Sequence, residues 1–362
     1  MKKKLFAVLL VGAMVLSMAA CGSKKEDPTP TDDSAVENQE EGTEEGTEEG
    51  TETGAEEGAE EGKAYVLGAL IYKYDDTYIS TVRAALEKYA AEASIDITLD
   101  MQDGQGDQAK QNDQLDVLIE KGVDAILVNA VDAGSAQGLA DKATAAGIPV
   151  IFFNREPAAE VVESAGAIFV GTTASEAGVT QGNILADMVE EKPEIDKNGD
   201  GTIQFLVFKG EPGNPEAEAR TEFAISQSET RGLTMENLYG DAIVANWATD
   251  QAQSAMEAQM AAHDNIEVVF CNNDDMALGV IAALGDKASE TIVLGVDATD
   301  AGMEAINNGT MAGTVKQDGD AMGQAVIALA ENALQGKDFL EGTAYEMADD
   351  GFSVRIPYAA VK

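Results

Sequence analysis

Oxygen-bearing side chains gather in two settings in this chain, and each setting implies its own chemistry. The first is the run Asp196, Lys197, Asn198, Gly199, Asp200, Gly201, Thr202, Ile203, Gln204. Oxygen donors at positions 1, 3 and 5, a glycine at 6 and a β-branched residue at 8 are what an EF-hand loop uses to wrap a hard cation such as calcium. Position 12, where that loop places a bidentate Glu, is Val207, inside the apolar run Phe205 to Phe208. A metal held here needs a carboxylate from elsewhere in the fold. The other reading is an Asp/Asn/Gly turn that binds nothing.

The second setting is the carboxyl end of successive apolar runs. Tyr74-Asp75-Asp76 follows the first, Asn129 and Asn154 follow two others, and Asn272-Asn273-Asp274, Asp297 and Gln317 follow runs nearer the C-terminus. Any one of them is an ordinary helix cap. Together, and with an Arg such as Arg220, they suit a cleft that hydrogen-bonds many hydroxyls, because each hydroxyl both donates and accepts. Two carboxylates beside a cleft also describe a glycosidase, but no acid with a raised pKa is signalled. The single histidine, His263, lies in the polar turn Ala-Ala-His-Asp-Asn, which leaves no imidazole for general base catalysis.

The elements that must position these residues alternate regularly. Apolar runs at 64–71, 95–99, 125–129, 149–153, 203–208, 242–244 and 268–271 read as strands. Helical spacing appears between them at 78–93, 109–121, 135–146, 175–191, 215–230 and 250–261, and two further units end at 292–296 and 313–315. Strict alternation of this kind predicts an α/β fold with parallel sheets flanked by helices. About 300 residues exceed what one core usually holds, so two doubly wound domains facing a shared cleft are expected.

Composition narrows the partners. The 362 residues carry 23 Lys and Arg against 66 Asp and Glu, a formal net charge of −43, which disfavours nucleic acid and anionic membrane surfaces. Lys2, Lys3 and Lys4 precede an apolar run from Leu5 to Val15, and small residues lead into Cys21, the layout of a secretory leader too short for a permanent membrane helix. Leu16 to Cys21 further resembles a bacterial lipobox, so residues 1–21 are expected to be a lipoprotein signal peptide with Cys21 acylated. From 22 to 63 the composition turns to Glu-Glu-Gly and Thr units with almost nothing apolar, the signature of an acidic disordered tether. A long spacer behind a lipid suits a protein on the membrane of a Gram-positive cell. Cys271 would then be the one remaining cysteine, an ordinary occupant of a buried strand with no disulfide partner.

Several motifs occur in a telling order: Tyr72-Lys73-Tyr74-Asp75-Asp76, the run from Gln105 to Asp116, Phe152 to Pro157, Lys209 to Gly213 and Ala217 to Arg220. From about Leu67 to Tyr358 the chain resembles the galactose/glucose-binding proteins of bacterial ABC importers. The resemblance implies a monomeric, non-enzymatic protein of type I periplasmic-binding-protein fold. Its two domains, 64–152 plus 318–353 and 153–317 plus 354–362, are joined by three hinge crossings near Phe152, Val315 and Arg355. It also implies a structural calcium site made by Asp196, Asn198, Asp200, Thr202 and Gln204, with Glu267 as the distant carboxylate. For the sugar, it implies Tyr78 and Trp247 on opposite faces of the ring and hydrogen bonds from Asp76, Asn129, Arg220, Asn273 and Asp297. Asn214, Glu216 and Gln317 stand where the family has His, Asp and Asn, which puts the choice among glucose, galactose, an aldopentose and a glycoside in question. The partners so implied are a monosaccharide and an ABC permease, or a chemoreceptor or sensor kinase, with the membrane reached only through the lipid. A repressor of the same fold would need a basic helix-turn-helix where this chain is acidic.

Overall fold

Residues 62–362, the part of the chain that the computed structural model describes, build two parallel sheets from the short apolar runs. The leader, Cys21 and nearly all of the acidic segment lie outside the described residues. In the first lobe β1 (Ala64–Ile71), α1 (Thr77–Glu92), β2 (Asp96–Asp103), α2 (Gln108–Lys121), β3 (Ala125–Val128), α3 (Ala136–Ala145), β4 (Val150–Phe153), α4 (Ala159–Ser164) and β5 (Ile168–Gly171) follow in turn. The second lobe continues with α5 (Ala174–Glu191), β6 (Ile203–Lys209), α6 (Pro215–Thr230), β7 (Met235–Asn237), β8 (Ile243–Val244) and α7 (Thr249–Ala262). It is completed by β9 (Val268–Cys271), α8 (Asp274–Leu284), β10 (Ile292–Leu294), α9 (Asp300–Asn307) and β11 (Thr314–Lys316). The chain then returns to the first lobe as α10 (Gly319–Leu334) and β12 (Ser353–Arg355), and ends in the second as β13 (Ala359–Val361).

The first sheet runs β12-β5-β4-β3-β1-β2, with every pair parallel. The second runs β10-β9-β6-β7, with β8 also against β6. A bridge from Leu294 to Gly313 brings β11 beside β10, and β13 pairs antiparallel with β11. Strands buried on both faces need continuous apolar sequence, which is why Ala-Ile-Leu-Val, Val-Ile-Phe-Phe and Val-Val-Phe-Cys are fully buried at β3, β4 and β9. Each sheet is covered on both faces by its own apolar clusters. Cys271 is buried in one of them with its thiol free. Among the described residues no helix is long and apolar enough to cross a membrane.

One hinge differs from expectation. The chain does not leave the first lobe at Phe152, because Ile151, Phe152 and Phe153 pair with Ile168, Phe169 and Val170 of β5, and β5 pairs in turn with β12. Residues 153–171 therefore belong to the first lobe, and the crossing lies between Gly171 and Ala174. Helix α4 has only six residues, too few to show a helical period in sequence, so this βαβ unit was hidden. The other two crossings fall after β11 and after β12; Val354 and Arg355, expected in the second domain, pair with Val170 and Gly171 of β5 and so remain in the first sheet.

Candidate functional site

Parallel strands point their carboxyl ends at the gap between the lobes, and the helices that follow start there. Several residues set out above as either caps or site residues are both. Asp76 accepts from Ile79 N at 2.7 Å to cap α1, Asn214 accepts from Ala217 N at 3.0 Å to cap α6, and Asn273 accepts from Met276 N at 2.9 Å to cap α8. Capping uses only part of each group's hydrogen-bonding capacity, and all three residues line one cavity between the lobes. Tyr78, Glu216, Arg220, Trp247, Asp297 and Gln317 line it as well. The cavity holds about 380 Å³ of space between protein atoms, its open mouth included.

Asn129 does not join them. It is fully buried, with Oδ1 accepting from Tyr72 N at 3.1 Å and Nδ2 donating to Asn154 Oδ1 at 3.0 Å. The residue that reaches the cavity from this side is Asn154, held at φ 62° just beyond β4. Asn129 thus orients the Asn154 amide from behind. Both follow strands in sequence, and the strand-end rule alone does not separate them.

Several buried polar atoms around the cavity have no protein partner: both carboxylate oxygens of Glu216, Arg220 Nε, Trp247 Nε1 and Gln317 Nε2. Unpaired buried groups of this kind cost on the order of 1–3 kcal/mol each, so their convergence marks a place shaped for a polar ligand. The rest of Arg220 is tightly held. Its Nη1 donates to Asn272 O at 2.7 Å, and its Nη2 donates to Gln317 Oε1 at 2.8 Å and Tyr358 OH at 3.0 Å. Tyr358 lies in the third crossing and also accepts from Thr172 Oγ1 at 2.8 Å in the first, which ties two hinges to the cavity arginine.

Burial pushes the Glu216 and Asp297 carboxyls up, with Arg220 opposing less than burial raises. The expectation that no raised acid sits in the cleft therefore fails, and the cause is enclosure. Asp274, behind Asp297, is fully buried and burial raises its carboxyl to about 6. Its Oδ2 accepts from Thr299 N at 2.8 Å and its Oδ1 from Thr314 Oγ1 at 2.6 Å, clamping the loop that presents Asp297. That loop and the one bearing Trp247 adopt left-handed backbone at Asp297 (φ 120°), Ala298 (57°), Asn246 (48°) and Trp247 (64°). Apart from Asn154 and these four, Gln105 is the one other non-glycine residue so placed among the described residues, so backbone strain concentrates at the cavity. Gly210 lies under the Trp247 ring, where an added Cβ would stand 2.5 Å from Cδ2 and closer still to Cε2 and Cζ2.

The oxygen-rich loop is far from this cavity, between α5 and β6. Asp196 Oδ1 accepts from Gly199 N at 2.8 Å and its Oδ2 from Gly201 N at 2.8 Å, while Asp200 Oδ1 accepts from Thr202 N at 2.8 Å. Gly199 (φ 70°) and Gly201 (φ 81°) supply the left-handed turns that wrapping requires. Glu267 is fully buried beside the loop, accepting from Lys197 N at 2.7 Å and Gln204 N at 2.9 Å. Among the described residues no three Asp, Glu, His or Cys side chains converge as a metal cluster on their own. Asn198, Thr202 and Gln204 add neutral oxygens, and such a mixed, all-oxygen set matches the taste of calcium more than that of a transition metal.

Residues 67–338 match the family described as "Periplasmic binding protein domain". The chain is 40% identical over 298 residues to the D-galactose/methyl-galactoside binding periplasmic protein MglB of Haemophilus influenzae, covering 82% of this chain and 88% of that protein. It is 29% identical over 281 residues to a putative rhizopine-binding protein of Rhizobium meliloti, covering 76% of this chain and 86% of that one. Among solved structures it resembles an ABC transporter solute binding protein from Bacillus halodurans with bound myo-inositol. That match has a TM-score of 0.70 and 28% identity, covering 83% of this chain and 96% of the other.

Proposed function

Because this chain belongs to the periplasmic binding protein domain family, a family of sugar-binding, non-enzymatic proteins of ABC importers, we propose that it captures D-galactose or D-glucose between its lobes and hands it to a permease. The carrying observation is the set of buried, partnerless polar atoms on Glu216, Arg220, Trp247 and Gln317 gathered in one cavity with Asp76, Asn154, Asn273 and Asp297. Carboxylates and amides of this kind accept from and donate to ring hydroxyls, and Trp247 and Tyr78 supply apolar faces for the C–H surfaces. The relative that binds galactose and methyl-galactoside supports the hexose assignment. Glu216 and Gln317 each carry one methylene more than the residues expected in the family, and so favour a shifted target, a different monosaccharide or a glycoside, as the second reading.

Three further roles belong to this proposal. Asp196, Asn198, Asp200, Gln204, the Thr202 carbonyl and Glu267 would hold calcium, whose charge would pin the loop to the start of β6 and perform no chemistry. Cys21 would carry a lipid that keeps the protein at the outer face of the cell membrane, at the end of the acidic tether. The permease, or a chemoreceptor, would read the closed lobes. Trp247 is the only tryptophan in the chain, so its fluorescence reports on the cavity directly. Titration with a panel of hexoses, pentoses and methyl glycosides should give saturable change with galactose or glucose. A response only to another sugar moves the assignment to that sugar, and no response to any of them refutes the proposal.

A further inference from the structure

We propose that Arg155 and Glu211 form a latch across the cleft that holds the lobes shut on the ligand and, through Tyr72, positions the Asp76 carboxylate that meets it; the proposal rests on the cleft being the sugar site. Arg155 follows β4 in the first lobe and is 5% exposed, while Glu211 follows β6 in the second. Their side chains meet at 2.9 Å between Arg155 Nη1 and Glu211 Oε2. On its own lobe Arg155 is built in: Nη1 donates to Val131 O at 2.8 Å, and the guanidinium lies 3.6 Å from the centre of the Tyr72 ring. The Tyr72 hydroxyl donates to Asp76 Oδ2, while Asp76 Oδ1 is committed to the cap of α1. A continuous chain of contacts thus runs from the second lobe, through Arg155 and Tyr72, to a carboxylate at the wall of the sugar cavity.

The position of the pair decides which state it acts on. Arg155 and Asn214 line the sugar cavity and also a neighbouring one at the rim, walled by Gly106, Val131 and Asp132 on one lobe and Glu211 and Gly213 on the other. The ion pair is therefore part of the partition between the enclosed site and the outside. With the lobes apart, Glu211 is no longer opposite Arg155 and water reaches the guanidinium. With the lobes together, Glu211 is the one carboxylate in an ion pair with it among the described residues. Removing the Glu211 charge penalises the closed state alone, and such a change falls on escape and leaves capture alone. The lobes also meet through Thr77 Oγ1 donating to Asp275 Oδ2 at 2.7 Å, a hydrogen bond from a neutral hydroxyl.

Stopped-flow tryptophan fluorescence on the intact protein with D-galactose and D-glucose tests the latch. Glu211→Gln should raise the dissociation rate roughly tenfold while the association rate stays within about twofold. Glu211→Asp, which keeps the charge on a shorter arm, should fall between. Arg155→Gln combined with Glu211→Gln should cost less than the two singles multiplied, the coupling that a direct pair requires. Tyr72→Phe should weaken affinity with the salt dependence of dissociation unchanged. An unaltered dissociation rate in Glu211→Gln, or singles that simply multiply, overturns the latch while leaving the sugar site intact. Where the wild type responds to another sugar of the panel, the same rates are read with that sugar; a wild-type protein that binds none of the panel overturns the functional reading and the latch with it.

Discussion

Gly210→Ala offers a sharp test of the role assigned to Trp247. The new Cβ would sit 2.5 Å from Trp247 Cδ2, whereas non-bonded carbons rest at about 3.5–4.0 Å, so the indole has to retreat by about 1 Å or more. It has little freedom to do so locally, because Asn246 and Trp247 are both held at positive φ and the ring packs on the second lobe's core. Gly210 itself has no left-handed backbone requirement, and its N–H donates to Asn272 Oδ1 at 3.1 Å, a bond alanine preserves. Overpacking of this kind costs about 1–3 kcal/mol, which in a protein of this size lowers Tm by only several degrees. Loss of the stacking face and displacement of the unpaired indole N–H together should weaken sugar binding by about 2–3 kcal/mol, roughly 30- to 150-fold. Isothermal titration gives the affinity and calorimetric melting gives the fold control. A Gly210→Ala protein that melts normally and binds within twofold of wild type would show that Trp247 is not a face of the site.

Acidification should weaken sugar binding: hydroxyls donate to ionised Glu216 and Asp297, and because burial raises both carboxyls, the loss should begin at a higher pH than for an ordinary acid, as titrations from pH 8 down to 5 would show. Asp274 shapes stability in the opposite sense. Its carboxyl is raised from 3.8 to about 6, so the native state holds the proton more tightly; that contribution is complete below pH 4 and lost as pH rises through 6, about 3 kcal/mol in all. Urea unfolding from pH 4 to 7 should flatten in Asp274→Asn, and an identical pH curve would refute the assignment. Calcium at about a hundred times its dissociation constant should add about 2.7 kcal/mol and several degrees of Tm, reversed by chelator and absent in Glu267→Gln. Glu216→Asp with Gln317→Asn should move the sugar preference towards that of the galactose-binding relative, and an unchanged preference would show that these two side chains do not set it.

Much of the architecture was readable because doubly wound sheets write themselves in alternating runs. The strands β3, β4, β6 and β9 and the helices α3, α5, α6 and α7 appear in sequence within a residue or two. What failed was short: α4 has six residues and β5 four, and without a helical period to mark them the first hinge was set one βαβ unit too early. At the site, strand-end position pointed to Asp76, Asn154, Asn273, Asp297 and Gln317, whereas Tyr78, Asn214, Glu216 and Trp247 came from the family resemblance. Strand-end position failed to separate Asn129 from Asn154 because which asparagine faces the cavity depends on a positive φ, a property of the folded backbone. Glu267 was reached through family resemblance, since a carboxylate that meets a loop some 60 to 70 residues away leaves no local periodicity. Arg155 lies within the motif Phe152 to Pro157, but its meaning lies in Glu211, in the loop after β6 of the other lobe.

Isothermal titration of the purified protein with D-galactose and D-glucose in the presence of calcium is the most direct test of the capture mechanism. The expected result is saturable one-to-one binding of one or both sugars, abolished in Trp247→Ala and sharply reduced in Glu216→Ala, with both variants folded. Absence of binding by a folded wild-type protein to these two sugars and to the pentoses and methyl glycosides of the wider panel, or binding that survives both substitutions unchanged, would contradict it.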